Sequence, residues 1–366
     1  MGKSNRIEWI DALRGFTMIL VVFWHVSMNF GLDNTNSLLN SFLLTFRMPM
    51  FFFVSGFIGY KAIHSFSGSL YFTLLKRKSF CQLVPTAIFF SIFTFVKGGG
   101  TPLVFFQRGL EGYWFTLVLF ELFILYYTFS ILFKNCIKNN SNIKLTILFI
   151  LTTLVFNALA LFMNIDLGRL PRVCIMLTLN NFFYYAQFFF LGVLCRIYQG
   201  QFLKLLDNRF FTTFILSGFL LLFILVSTII TNDFNKVLHY LLNDIVIKYF
   251  GLVAAFLVFY RFQTQFSSER KIGQILQYVG KHTLDIYLLH YFFLPNMRDF
   301  KHLICTPNEN IPMEILLVGV ISFLVIGICL LISKVIRISP ILTKYLFGVY
   351  PKTASDDSND NYTCRR

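Results

Sequence analysis

Long apolar segments separated by short polar turns make up most of this chain. Each has roughly the 17 to 25 residues that an α-helix needs to cross the hydrocarbon core of a membrane. The pattern therefore predicts an all-α fold, a polytopic membrane protein with about ten transmembrane helices. The predicted spans are Trp9 to Phe30, Leu38 to Tyr60, Phe80 to Val96, Tyr113 to Phe133, Leu145 to Met163, Val173 to Arg196, Phe210 to Ile230, Val237 to Tyr260, Leu276 to Leu294 and Met313 to Ile336.

The positions of the basic residues predict the topology of these spans. Most of the 32 Lys and Arg residues lie at the two ends of the chain or in alternate turns. Short cytosolic loops carry an excess of Lys and Arg, so this asymmetry places both termini in the cytosol. We expect a single transmembrane domain at 1–349, integral to the plasma or inner membrane, and a short polar cytosolic tail at 350–366.

Composition independently excludes a soluble globular protein. The chain is 56% hydrophobic and 13% charged, and its mean hydropathy is +0.67. A formal charge of +15 is compatible with nucleic-acid binding, but the basic residues are scattered at the ends of apolar segments. We therefore expect membrane lipid and no nucleic acid as a partner. Seven cysteines show no CxxC pair or metal-ligand spacing, so we predict neither a disulfide framework nor a metal site.

The stretch from Arg6 to His25, which contains most of the first predicted span, carries Glu8, Asp11, Arg14 and His25. This places charges inside the segment, and no small-residue cleavage pattern follows it, so we do not expect a removable signal peptide. At about 100° and 1.5 Å per residue, Arg14 and His25 share one helix face and lie about 16 Å apart. Ionisable groups at membrane depth mark a functional site by default. The alternative is that His25 and Arg14 only tie helices together.

A layer of polar side chains is predicted in the outer half of the membrane, drawn from six spans. Such groups would be unsatisfied in lipid, which indicates a protein-lined cavity. The simpler alternative pairs Asp244 with Lys248 along one helix and Arg47 with Glu121 between helices. The residues of this layer are His25, Arg47, Glu121, Asn180, Asn181, Asp244, Lys248 and His290.

Four stretches of the chain resemble motifs of the acyltransferase 3 family of integral membrane acyltransferases. The first is WIDALRG with ten residues between Arg14 and His25. The others are RMPMFFFVSGF (Arg47 to Phe57), YWFTLVLFELFILYY (Tyr113 to Tyr127) and GKHTLDIYLLH (Gly280 to His290). The motifs occur in the family's order and spread over nearly the whole chain.

The resemblance implies transfer of an acyl group, usually acetyl, from cytosolic acyl-CoA to a hydroxyl of a cell-envelope glycan or lipid-linked saccharide. It makes His25 the essential histidine and Arg14 a donor-binding residue. Asp11 lies one turn from Arg14 and is expected to orient it. A sugar hydroxyl needs a base with a pKa near 7, which His supplies. We expect His25 to act as general base in direct transfer, while an acyl-histidine intermediate is the alternative.

Further residues are expected to complete the donor and acceptor sites. Lys76, Arg77 and Lys78 form a cationic segment suited to the phosphates of acetyl-CoA or another acyl-CoA, although the positive-inside rule also explains them. The sequence KRKSFCQLVP departs from the family, with Cys81 and Gln82 where an arginine is expected. The expected acceptor-cavity residues are Arg47, Trp114, Glu121, Tyr287 and His290. Trp114 is alternatively an interfacial anchor.

Two other functional classes remain open from the residues alone. In a solute transporter or flippase, the polar layer would bind the solute and His25 would relay protons. The chain shows no pair of interrupted helices in matching halves that would indicate a transporter repeat. A non-catalytic membrane partner of a glycan assembly complex leaves the alignment of Arg14 with His25 without a purpose. The family resemblance decides between these classes, and it implies an O-acetyltransferase that modifies a surface or secreted polysaccharide.

Overall fold

Helices account for nearly all of the chain that the computed structural model describes, which comprises residues 7–32, 37–60, 67–97, 105, 109–132, 141–165, 171–229, 236–304 and 310–349. These described residues contain no β-strand, so the predicted helical class is confirmed. The predicted cytosolic tail, 350–366, lies outside the described residues.

The helices follow one another closely along the chain. Two π-helical turns, Ser79–Leu83 and Tyr240–Val246, and two 3-10 turns, Glu111–Tyr113 and Arg298–Leu303, connect some of them. The helices are α1 (Glu8–Asn29), α2 (Leu38–Leu44), α3 (Arg47–Gly59), α4 (Gly68–Lys78), α5 (Val84–Val96), α6 (Trp114–Leu132), α7 (Ser141–Ile165), α8 (Arg172–Met176), α9 (Leu179–Ile197), α10 (Gln199–Asp207), α11 (Arg209–Ile229), α12 (Lys236–His239), α13 (Ile247–Arg261), α14 (Lys271–Lys281), α15 (Thr283–Phe293), α16 (Ile311–Ile336) and α17 (Pro340–Phe347).

Within the described residues, 8 helical segments are long and apolar enough to cross a membrane. They match eight of the predicted spans in position, while the count of ten and the cytosolic termini stay predictions. The segments are Glu8–Asn29, Leu38–Gly59, Gly68–Val96, Glu111–Leu132, Asn142–Asn164, Arg209–Ser227, Val237–Arg261 and Ile311–Ile336.

The other two predicted spans are interrupted in the structure. The segment from Val173 to Arg196 is divided between α8 and α9, and Thr178 at the break has φ 48°. The segment from Leu276 to Leu294 is divided between α14 and α15, with His282 between them at φ −111° and ψ 19°. Each of these two helices has 11 residues, or about 16 Å of length, so neither crosses the hydrocarbon core alone.

The third span begins earlier than the apolar pattern predicts. The predicted span starts at Phe80, whereas helix begins at Gly68 and continues through the π-helical turn to Val96. Pro85 lacks an N–H and its ring crowds the carbonyl four residues earlier, at Cys81. The wider turn at Ser79–Leu83 accommodates that proline. The cations Lys76, Arg77 and Lys78 consequently lie in a continuous helix and not in a turn.

The chain divides into two compact units. One comprises Met1–Val54 and Tyr198–Leu330, and we call it the histidine unit because it contains His25. The other comprises Ser55–Ile197 and Leu331–Arg366, and we call it the aromatic unit. Phe149 stacks on Phe190 in the aromatic unit with ring centroids 4.7 Å apart. Helices in this unit also approach through glycine, because a Cβ at Gly56 would overlap the carbonyl oxygen of Phe189.

Helices α1 and α14 of the histidine unit touch backbone to backbone. A Cβ at Gly15 would overlap the carbonyl oxygen of Leu276 and lie 2.9 Å from the amide nitrogen of Gly280. A Cβ at Gly280 would overlap the carbonyl oxygen of Asp11 in the same way. Small residues permit such close helix packing in membranes, where dispersion contacts drive association. These two glycines therefore fix how α14 lies against α1.

A buried carboxylate holds the far end of α1. Glu314 on α16 is 0% exposed, and its Oε1 accepts hydrogen bonds from the hydroxyls of Ser27 at 3.1 Å and Ser37 at 3.0 Å. The amide of Asn40 donates to Ser27 Oγ at 2.7 Å. Ser37 also caps α2 by accepting from the backbone N–H of Asn40 at 3.0 Å. This hydrogen-bonded group connects the ends of α1, α2 and α16.

Gly15→Ala tests the close approach of α1 and α14. The added methyl group meets backbone atoms, which cannot rotate away, so we expect a loss of about 1–3 kcal/mol of stability or more. Gly319→Ala is the matched control, because a Cβ there meets nothing within 4 Å. Thermal unfolding in detergent measures both variants. Equal melting temperatures for the two would contradict the proposed packing role of Gly15.

Candidate functional site

The cation Arg14 is held between two helices of the histidine unit. Its Nη2 donates to the hydroxyl of Thr283 on α15 at 3.1 Å, and its Nη1 lies 3.6 Å from Oδ1 of Asp11. Asp11 is one turn earlier on α1, as the sequence indicated. Its side chain is 6% exposed, whereas that of Arg14 is 22% exposed. The guanidinium of Arg14 is thus oriented by two oxygen atoms and is still partly exposed at the protein surface.

His25 contacts α15 through a tyrosine. The hydroxyl of Tyr291 lies 3.1 Å from Nε2 of His25, and their ring centroids are 4.9 Å apart. The ring of His290, one residue earlier, lies 5.0 Å from that of His25 and 4.0 Å from that of Tyr291. Three rings with ionisable groups therefore meet between α1 and α15, and we call them the histidine cluster.

The hydrogen bonds of His290 define its neutral tautomer. Its Nδ1 lies 3.0 Å from the carbonyl oxygen of Ile286, which is an acceptor, so Nδ1 carries the proton. Nε2 of the neutral ring is then an acceptor. His290 is 0% exposed, and no side chain or backbone group in the described part of the chain bonds to that nitrogen. A buried acceptor lone pair therefore lies within the histidine cluster.

Arg47 adds a positive charge to the same region. Its guanidinium carbon lies 4.4 Å from the centroid of the Trp24 ring, and the residue is 4% exposed. Arg47 also interacts electrostatically with His25 and Tyr291. Arginine binds well to an aromatic face because its planar cation is weakly hydrated. The arrangement supplies a base, a phenol and a fixed cation next to one another.

The structure brings together some of the expected site residues. Asp11 joins Arg14, while Arg47 and His290 lie near His25. The ring of Tyr287 is 6.1 Å from that of His290 on the same helix. These residues all belong to the histidine unit, and their roles in binding or catalysis stay predictions.

The remaining expected residues belong to the aromatic unit. Trp114 stacks on Tyr185 with centroids 5.3 Å apart, and Glu121 is half-buried two turns later on α6. Oε2 of Glu121 is buried without a hydrogen-bond partner among the described residues. At the end of α4, Lys76 is exposed and Nζ of Lys78 lies 3.7 Å from the centroid of the Phe123 ring. Arg77 lies half-buried between them.

One of the two predicted ion pairs forms within the histidine unit. Nζ of Lys248 lies 2.8 Å from Oδ1 of Asp244, and these side chains are 9% and 28% exposed. Asp244 lies in the π-helical turn before α13, so the spacing of four residues still brings the two charges together. The simpler interpretation therefore holds for this pair, and neither residue is needed to explain the histidine cluster.

Three residues near the expected site, Thr283, Tyr291 and Trp24, were not predicted from the sequence. Thr283 and His290 are seven residues apart, so they share a face of α15 just as Arg14 and His25 share a face of α1. That spacing inside the fourth motif was the available signal for Thr283. Tyr291 gives no comparable signal, because its contact with His25 depends on how α15 lies against α1.

Comparison with known proteins identifies the family of this chain. An acyltransferase domain, that of the acyltransferase 3 family, matches residues 7–334. No curated protein and no solved structure matches the chain. The matched range includes all four motifs and every described residue of the histidine cluster. The chain therefore belongs to the acyltransferase 3 family and is a multi-pass membrane acyltransferase.

Proposed function

We propose that this acyltransferase moves an acetyl or other short acyl group from cytosolic acyl-CoA to a hydroxyl of a cell-envelope or secreted polysaccharide. The carrying observation is that Arg14 and His25 occupy one face of α1 while α15 contacts both, through Thr283 and Tyr291. A cation suited to phosphate and a base suited to a hydroxyl thus belong to one pair of helices. About 16 Å separates them along α1, a distance suited to the extended pantetheine arm of coenzyme A.

On this proposal Arg14 binds a donor phosphate at the cytosolic side. A guanidinium presents paired N–H donors to phosphate oxygens. Asp11 and Thr283 hold those donors in one orientation, which lowers the entropy lost when the donor binds. Lys76, Arg77 and Lys78 contribute further positive charge on the same side of the membrane, following the predicted topology.

His25 acts as general base in the proposed reaction. It takes the proton of the acceptor hydroxyl while the oxygen attacks the thioester carbonyl carbon. The tetrahedral intermediate carries a negative charge on the former carbonyl oxygen, and the cation of Arg47 is suited to stabilise it. The carbon–sulfur bond then breaks, and the protonated His25 returns the proton to the sulfur of coenzyme A. No covalent enzyme intermediate is required.

The acceptor side is proposed to include Trp114, Glu121, Tyr287 and His290 besides Arg47. An aromatic ring presents a flat apolar surface to the C–H face of a sugar. A carboxylate accepts hydrogen bonds from sugar hydroxyls. Trp114 and Glu121 are seven residues apart and share a face of α6, which supports a combined role in saccharide binding.

Arg14→Ala tests the donor site. Removal of a charged hydrogen-bonding partner costs about 1.5–3 kcal/mol, so we expect affinity for coenzyme A to fall about 10- to 100-fold. Calorimetry on purified protein in detergent measures this affinity. Arg261→Ala is the matched control, since Arg261 is an exposed arginine at the end of α13 that bonds to Thr212. Unchanged affinity in the Arg14 variant would rule out the donor role.

His25→Gln tests the catalytic base. Loss of general-base catalysis lowers rates about 10²- to 10⁴-fold, so acyl transfer should nearly disappear while coenzyme A still binds. The rate is measured as transfer of a labelled acetyl group from acetyl-CoA to an envelope glycan acceptor. His302→Gln is the control, because His302 is exposed and bonds to the backbone of Asp299. Full activity in the His25 variant would refute the proposal, and a rapidly quenched acyl-imidazole would refute direct transfer.

Glu121→Gln tests the acceptor side. Weakening a hydrogen bond from a sugar hydroxyl to a carboxylate should raise the KM for the acceptor about 10-fold. The KM for acyl-CoA should stay the same. Glu269→Gln is the control, because Glu269 is exposed in the loop before α14. Steady-state kinetics with each substrate varied in turn separates the two constants, and an unchanged acceptor KM would remove Glu121 from the acceptor site.

A further inference from the structure

Tyr291 engages one of the two ring nitrogens of His25. Its hydroxyl lies 3.1 Å from Nε2, on a helix that packs along α1. A neutral imidazole has one N–H donor and one acceptor nitrogen, and the partner of one nitrogen determines the protonation of the other. The direction of the hydrogen bond between Tyr291 and Nε2 therefore determines which nitrogen of the neutral His25 ring carries the proton and which is basic.

Two polarities of this bond have different chemical consequences. If Tyr291 donates, Nε2 is the acceptor, Nδ1 carries the proton, and the lone pair is already engaged. If Nε2–H donates to the phenol oxygen, Nδ1 keeps a lone pair for the acceptor hydroxyl. Direct proton transfer from the acceptor hydroxyl to His25, with the bond to Tyr291 kept, requires the second polarity in the resting enzyme.

The surroundings of Tyr291 are compatible with the second polarity. When the phenol oxygen accepts from His25, its own proton needs another acceptor. Nε2 of His290 is an acceptor nitrogen, because Nδ1 donates to Ile286, and it belongs to the ring packed 4.0 Å from that of Tyr291. No group in the described ranges, the Tyr291 hydroxyl included, hydrogen-bonds to this nitrogen, so it is a neighbouring acceptor that the phenol proton reaches only if the hydroxyl shifts toward it.

We propose that Tyr291 is a positioning residue that fixes His25 as the Nε2–H tautomer and leaves Nδ1 as the basic nitrogen. This inference rests on the proposed function, because it specifies the base of that reaction. Nδ1 takes the proton of the acceptor hydroxyl and later passes it to the sulfur of coenzyme A. Nε2–H remains bonded to Tyr291 throughout, and that bond strengthens while His25 carries a positive charge. Tyr291 itself keeps its proton.

Nitrogen-15 NMR of histidine-labelled protein in detergent tests the tautomer directly. The His25 signals are identified by their loss in His25→Gln, among the 6 histidines of the sequence. We expect the resting protein to carry the proton of His25 on Nε2. A resting tautomer protonated on Nδ1 would overturn the proposal. This measurement uses the unaltered protein, so it does not depend on the folding of a Tyr291 variant.

Tyr291→Phe tests the contribution of the bond to catalysis. It removes only the hydroxyl, and we expect a mixed tautomer of His25 and a fall in kcat of about 10-fold or more. The KM for acyl-CoA should not change. Tyr278→Phe is the matched control, because Tyr278 is an exposed tyrosine on α14 whose ring contacts His282. An unchanged tautomer and kcat in Tyr291→Phe would overturn the positioning role.

The two readouts separate this inference from the proposed function. The tautomer is measured without any substrate, so its change between the unaltered protein and Tyr291→Phe decides the role of Tyr291 independently of the reaction. Absence of acyl transfer in the unaltered protein, with the expected tautomer present, would refute the proposed reaction and not the hydrogen bond.

Discussion

The close approach of α1 and α14 at Gly15 and Gly280 determines the geometry of the histidine unit. No side chain separates the two backbones there, because either Cβ would overlap a carbonyl oxygen of the other helix. Helix α15 follows α14 after a single residue and is thereby directed along α1. Thr283 then reaches Arg14, and Tyr291 reaches His25 two turns further on. A pair of glycines thus sets contacts at both ends of the polar face of α1.

The buried polar groups next to α1 differ in how completely they are hydrogen-bonded. Near its last turn, Glu314 accepts hydrogen bonds from two serine hydroxyls, and both of these serines also accept a hydrogen bond from Asn40. This arrangement is what a low-dielectric interior requires of a structural carboxylate. Two residues before Ser27, His25 meets a second histidine whose Nε2 receives no bond from the described residues. Incomplete hydrogen bonding at a buried group is costly, so it is informative when it occurs beside a candidate base.

The sequence predicted much of the fold and part of the site. Hydropathy located eight spans, because continuous apolar length is a local property. The break at Thr178 lies in a predicted span without proline, whereas Gly280 and Lys281 before His282 are a local helix-end signal that hydropathy alone does not use. Helical spacing placed Arg14 and His25 on one face. The contact of Tyr291 with His25 requires the register of α15 against α1, which depends on a tertiary approach through Gly15 and Gly280.

The depth of His25 has a chemical consequence under the proposed function. A thioester exposed to water at a base would be hydrolysed, so the base is best kept where water is scarce. Tyr291, His290 and Trp24 pack against the half-buried ring of His25 and reduce the access of water to it. The pantetheine arm of acyl-CoA extends from the phosphates bound at Arg14 to the thioester at His25. The acceptor, which is bulky, then needs to present only one hydroxyl at the outer end of α1. Because His25 lies about 16 Å from Arg14, acyl-CoA spans this distance with its extended pantetheine arm, and the glycan does not have to enter as deeply.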